Sequence, residues 1–252
     1  VGGVPGSGVG LRREALIDLR AISANVLDAT GGEPARFSAD LRADAYGHGC
    51  TEVALALQAA GIGGIIVSHP AEVDALARAG VRLPVLAGTA DGHGEHVPAA
   101  GKPPLRALSA DRIFGIAPAS RTTMKLVGEV VSVKTVDAGE GVSYGYSYRT
   151  TRKTRLALVG LGFADGIPRS ASNRAPVRIG RYSGIVSGRV AMDQFVVDIA
   201  DSDAHVGADA VLFGSAAHGD PTVHAWAEAT GLDPLVVLAR LGDRIIRREA
   251  QL

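Results

Sequence analysis

Leu19, Ile22, Val26 and Leu27 recur at helical spacing within residues 18–30, and Gly31-Gly32 follows as a stop, which predicts an amphipathic helix there. Residues 36–42 carry Phe37, Ala39 and Leu41 in alternation and predict a strand that leads into a loop, RADAYGHG, over residues 42–49. Thr51 is placed to cap a helix that runs to Ala60 and ends at Gly61. Residues 63–68 form a short apolar run that predicts a buried strand, 71–79 predict a helix closed by Gly80, and 83–87 predict another strand. Strand and helix in alternation imply a parallel sheet or part of a (β/α) barrel. Beyond Gly88 the pattern dissolves into Gly, Pro and His until about Leu105.

The second half is patterned differently. Residues 127–136, 155–162, 177–181, 184–199 and 208–214 are rich in β-formers and punctuated by Gly and Asp, as in a compact antiparallel β domain. A helix over 222–230 and an apolar segment over 235–241 close it. The expected fold class is therefore α/β plus β: an incomplete (β/α) barrel-like domain over 1–118, then a mostly antiparallel β domain over 119–252. Tyr144, Tyr146 and Tyr148 fall on alternate positions of what reads as one extended segment, which would place three phenols on one face as a pocket wall.

Composition narrows the function classes. A formal net charge of +0 over 252 residues gives no attraction to nucleic acid or to an acidic membrane face. No apolar run is long enough to span a membrane. The start, VGGVPGSGVG, has neither a charged leader nor an apolar core, so no signal peptide is expected. The one cysteine, Cys50, excludes an internal disulfide, fits a cytoplasmic location and reads as a buried thiol. Lysine is scarce: Lys102, Lys125, Lys134 and Lys153 are the only ones.

Four ordered motifs carry a resemblance. RADAYGHG (42–49), GEGVSYG (139–145), GFADGIPR (162–169) and GRVAMDQF (188–195) are similar to the signature runs of the alanine racemase family. That resemblance implies a (β/α) barrel followed by a β domain, a homodimer, and pyridoxal 5'-phosphate (PLP) held as a Schiff base by the lysine that opens the first motif. Here that position is Arg42, and a guanidinium stays protonated and is a poor amine nucleophile. The resemblance further makes Tyr144 the second acid/base, acting in the partner's barrel. Phe163 stands where a tyrosine borders the substrate channel, Met192 near the substrate, and Tyr46 beside the cofactor. A full barrel needs about 250 residues, whereas about 115 precede the β domain, room for three or four strands. The family's phosphate-binding groups, the arginine behind the pyridine nitrogen and the histidine paired with the catalytic tyrosine find no equivalents. Residues 111–118, DRIFGIAP, resemble the end of a barrel, so the shortening reads as internal.

These readings set the expectations for the site. Arg42, Tyr46, His48 and Tyr144 are the candidate catalytic residues, with Tyr146, Tyr148, Phe163 and Met192 lining a substrate pocket. Arg42 is either a clamp for an anion or paired with a carboxylate of the protein. His48 is either a base or a holder of backbone, and Asp44, Asp165 and Asp193 are assigned to turns. Asp91, His93, Glu95 and His96 are metal-ligand types without a metal-site spacing. The favoured expectation is a repurposed, PLP-independent isomerase or cyclase with no cofactor, acting on a small anionic molecule. The alternatives are a PLP-dependent alanine racemase or its inactive copy, and a non-catalytic dimeric ligand-binding protein.

Overall fold

A computed structural model describes residues 11–88 and 105–252. The predicted 91–96 cluster and Lys102 lie outside the described residues.

The first helix is α1, Leu19–Ala29. Its orphan N–H groups are met by Asp18, whose carboxylate accepts from Ala21 N at 2.8 Å. Four parallel strands follow: β2 (Phe37–Asp40), β3 (Gly64–Val67), β4 (Val85–Ala87) and β5 (Arg106–Leu108), in the order β4-β3-β2-β5. Between them lie α2 (Arg42–Gly47), α3 (Cys50–Ala59) and α4 (Pro70–Arg78), with α5 (Ala110–Ile113) after β5. Ala39, Ile65 and Leu108 share one sheet face by register and are buried with Val53, Leu57 and Leu76 of the helices. Four strands in this order make half a barrel, in keeping with the expected class.

Two expectations are corrected here, and one strand is new. Thr51 does not cap its helix: α3 starts at Cys50, whose N–H donates to Asp44 Oδ1 at 2.8 Å. The run 42–49 is not an open loop but contains the helical turn α2. Strand β5 has no precedent in the pattern, because of its three residues only Leu108 is buried.

The second sheet is built on β6 (Met124–Val136), which pairs antiparallel with β1 (Arg13–Ile17), β9 (Thr154–Val159) and β13 (Asp209–Phe213). Strands β10 (Pro176–Ile179), β11 (Tyr182–Ile185), β12 (Phe195–Ala200) and β14 (Ile246–Glu249) complete the eight, and β7 (Gly141–Val142) and β8 (Tyr148–Arg149) form a separate hairpin. In β12, Phe195, Val197 and Ile199 are buried and alternate with partly exposed neighbours, the period of a strand with one covered face. The expected strand over 184–199 is thus two strands, β11 and β12, with the GRVAMDQ run looping between them. Strand β1 precedes the half-barrel in sequence but hydrogen-bonds into the second sheet, parallel to β14 and antiparallel to β6. Helices α6 (Val223–Thr230) and α7 (Pro234–Ala239) are capped by Thr222 and Asp233. No described helix is long and apolar enough to cross a membrane.

Candidate functional site

The chain leaves the C-terminal end of β2 through α2, and Ala43, Asp44, Ala45 and Tyr46 all hold φ between 50° and 56° with ψ between 44° and 49°. This is a left-handed helical turn without glycine, at a cost of roughly 1–2 kcal/mol per residue. Contacts around the turn offset that cost. Ala43 N donates to Ser68 Oγ (2.9 Å), and Asp44 holds the start of α3. Gly47 O accepts from Arg247 Nε at 3.1 Å, from the far end of the chain. The turn also lies tight against α7: a Cβ on Gly47, where φ is +82°, would sit 2.4 Å from the Leu238 carbonyl oxygen.

Arg42 points its fork at Asp40. Nε donates to Oδ1 at 2.9 Å and Nη2 to Oδ2 at 2.6 Å, and Tyr46 donates its hydroxyl to Oδ2 at 3.0 Å. Burial works against the Asp40 carboxylate, but the hydrogen bonds from Arg42 outweigh it and hold its pKa below the ordinary value. The same pairing raises Arg42 still further from deprotonation. Burial, then the Asp40 charge, pushes the Tyr46 phenol up to about 12. Of the two readings of Arg42, the geometry therefore favours the internal carboxylate over a free anion clamp. Asp40 escaped the sequence reading, although residues two apart on a strand share a face.

His48 is 1% exposed and stacks on Phe114 with ring centroids 4.5 Å apart. Its Nδ1 lies 2.9 Å from the Ala45 carbonyl oxygen, so that nitrogen carries the proton, and Nε2 lies 2.9 Å from the Thr123 hydroxyl. Burial pulls its pKa down to about 4. Of the two readings of His48, the geometry favours the holder of backbone over the base: it is a neutral core residue that ties the end of α2 to the entry of β6.

The second group of candidates is on the β domain. Tyr144 (70% exposed), Tyr146 (62%), Phe163 (48%) and Met192 (60%) all stand out from the surface. Phe163 N donates to Ala191 O and Ala164 N to Met192 O, both at 2.9 Å, which brings the GFADG and GRVAMDQ runs side by side. A groove of about 400 Å³ runs past Tyr144, Tyr146, Gln194 and Phe195. The three-phenol wall is corrected. Ser143, Gly145 and Tyr146 have φ of 60°, 72° and 46°, so the segment turns instead of extending. Tyr148 faces elsewhere and donates its hydroxyl to Asp198 Oδ2 at 2.7 Å, and burial pushes its pKa up to about 12. Asp165 is wholly buried and accepts from Gly162 N at 2.8 Å, a turn role as expected.

A half-barrel of parallel strands with a strained turn after β2, followed by an antiparallel β domain, is the arrangement the motif resemblance implies for a two-domain racemase-type fold. Comparison with known proteins gives the same class. The alanine racemase N-terminal domain family matches residues 17–105, and the alanine racemase C-terminal domain family matches residues 123–249. The chain belongs to the alanine racemase family. An alanine racemase of Thermobifida fusca is 47% identical over 130 residues, 52% of this chain and 35% of that protein. One from Streptomyces coelicolor is 46% identical over 134 residues, 53% of this chain and 33% of that protein. The aligned part is thus about a third of the curated relatives' length. The crystal structure of an alanine racemase from D-cycloserine-producing Streptomyces lavendulae superposes with a TM-score of 0.82 at 25% identity, covering 96% of this chain and 98% of that chain.

These relatives correct the functional expectation. A cofactor-free, PLP-independent isomerase or cyclase is not what they carry: at 41–47% identity they are alanine racemases, the reaction the motif resemblance ties to PLP. At the motif position the side chain is a guanidinium already paired with Asp40. Lys125 Nζ is paired with buried Asp220 at 3.2 Å, and Lys134 and Lys153 are exposed on the β domain. Residue 42 and the described lysines do not fit a covalently anchored PLP.

Proposed function

We propose that this chain is an alanine racemase-type protein, built for PLP-dependent interconversion of alanine enantiomers, and that Arg42 makes it a silenced copy of that enzyme. The observation that supports this is the Asp40–Arg42 pair: the position that would present an amine is occupied by a cation locked to a neighbouring carboxylate. Two other features of the family pattern are retained beside it. The α2 turn is held in its costly left-handed form, and the β domain keeps the Tyr144, Phe163 and Met192 motifs on one exposed region. In this reading Tyr144 is the group that would exchange a proton with alanine, Phe163 and Met192 border the substrate, and a homodimer brings Tyr144 to a second chain.

The test is α-proton exchange of alanine in deuterated water with added PLP, followed by NMR. The wild-type chain should not exceed the exchange that free PLP supports. The double variant Asp40→Asn/Arg42→Lys, which restores an amine and frees it, should exceed it. Exchange by the wild type would overturn the silencing; no gain in the folded double variant would overturn the racemase assignment.

A further inference from the structure

We propose that Asn173 is a positioning residue that aims Tyr144, by clamping the turn on which it stands to the GRVAMDQ run. What Tyr144 does there rests on the proposed function above; how it is held does not. A group that acts in a second chain must be aimed from its own base. The Tyr144 ring stands out from the surface, so its direction follows from the main chain of the single helical turn Tyr144–Tyr146. Its neighbour differs: the Tyr146 ring lies over Gly141, with the Arg149 guanidinium 5.7 Å from its centroid.

The turn is tied at both ends. Before it, Ser143 Oγ donates to Arg189 O at 2.6 Å, and the Arg189 guanidinium packs against Gly145. After it, Asn173 Nδ2 donates to Ser147 Oγ at 3.1 Å. The other half of the same amide accepts from Gly188 N at 2.6 Å. An N–H needs an acceptor, so that contact fixes Oδ1 on Gly188 and leaves Nδ2 for Ser147. One side chain thus joins the Tyr144 turn to the opening of the run that carries Met192. Its own segment is fastened to that run as well: Val190 N donates to Ser172 Oγ at 3.0 Å, and Arg169 Nη1 to Val190 O at 3.1 Å. Asn173 holds φ of 59°, a left-handed conformation that asparagine adopts more readily than most residues with a side chain. Residues 169–173 continue directly from the GFADGIPR run, so three of the four motif runs meet at this bracket.

Glycine is at ease at that φ, so Asn173→Gly keeps the backbone and removes the amide. The probe is fluorine NMR of the full chain with its five tyrosines replaced by 3-fluorotyrosine, each line assigned by one Tyr→Phe variant. Asn173→Gly should shift and broaden the Tyr144 line and leave those of Tyr46 and Tyr182 in place. Ser147→Ala should move the Tyr144 line too, and the double variant no further, because both changes break one contact. In the Asp40→Asn/Arg42→Lys background, Asn173→Gly should lower kcat for α-proton exchange by about tenfold with KM for alanine unchanged, since misplacing a reacting group costs rate. An unmoved Tyr144 line, movement of every line, additive shifts in the double variant, or an unchanged kcat in a background that exchanges each overturns the proposal. A background without exchange removes the racemase assignment alone, and the fluorine lines still decide whether Asn173 holds the turn.

Discussion

Restoring lysine at position 42 should not by itself restore a reactive amine, because Asp40 would hold it charged. The Arg42 nitrogens lie 2.6 and 2.9 Å from the Asp40 oxygens, with the two side chains 36% and 13% exposed. A unit charge pair at about 4 Å interacts by about 4 kcal/mol near a protein surface and about 1 kcal/mol in water. For a partly exposed pair we take about 2 kcal/mol, equivalent to about 1.5 pKa units on the lysine. Imine formation needs the free amine, and its population below the pKa falls in proportion. Arg42→Lys should therefore react with PLP about 30-fold more slowly at residue 42 than Asp40→Asn/Arg42→Lys. The assay is borohydride trapping over time, with the pyridoxyl group located by peptide mass and normalised to exposed Lys134 in the same sample. Equal rates at residue 42 in the two variants would refute the reasoning, since Asp40 would then exert no hold on that position.

Two further predictions concern the frame around the site. Gly47→Ala should cost about 3 kcal/mol, combining left-handed strain with a backbone overlap that must open, because its Cβ would lie 2.4 Å from Leu238 O. Gly31→Ala, at φ +63° with nothing within 4 Å, should cost only about 1 kcal/mol; comparable losses in urea unfolding would deny that α2 is wedged against α7. His48 should make the fold acid-sensitive. Its folded pKa of about 4 lies below the ordinary imidazole value of 6.5, so the unfolded chain takes the proton first; the contribution is intact above about pH 6.5 and lost as pH falls towards 4, to the extent of about 3 kcal/mol. His48→Gln should flatten that part of the pH profile, and an unchanged profile would show that the imidazole is not what titrates.

What could be read from the sequence, and what could not, divides along a physical line. Helices α1, α3 and α4 and strands β2 and β3 follow from apolar spacing, because each buries one face against the same core and the period records which face that is. The left-handed turn carries no such record. Ala43 to Tyr46 contain no glycine, and the groups that hold them, Ser68, Leu238 and Arg247, lie up to about 200 residues away along the chain. The exposed stance of Tyr144 and Tyr146 depends on positive φ at Ser143 and Gly145, and only the glycine hinted at a turn. His48 was ambiguous for a related reason: burial decides whether an imidazole is a base or a strut, and burial here comes from Phe114 and Thr123, which reach it only through the fold. The Asp40–Arg42 pair was available in the sequence, as an acid and a base two apart at the end of the predicted 36–42 strand. Its meaning becomes plain in space, where the fork is closed on its own neighbour and Tyr46 adds a third contact to the same carboxylate. A substitution of lysine by arginine alone would leave a cation facing an open barrel mouth; with Asp40 beside it, the charge is answered within the chain, and the arginine becomes a stable feature of the fold.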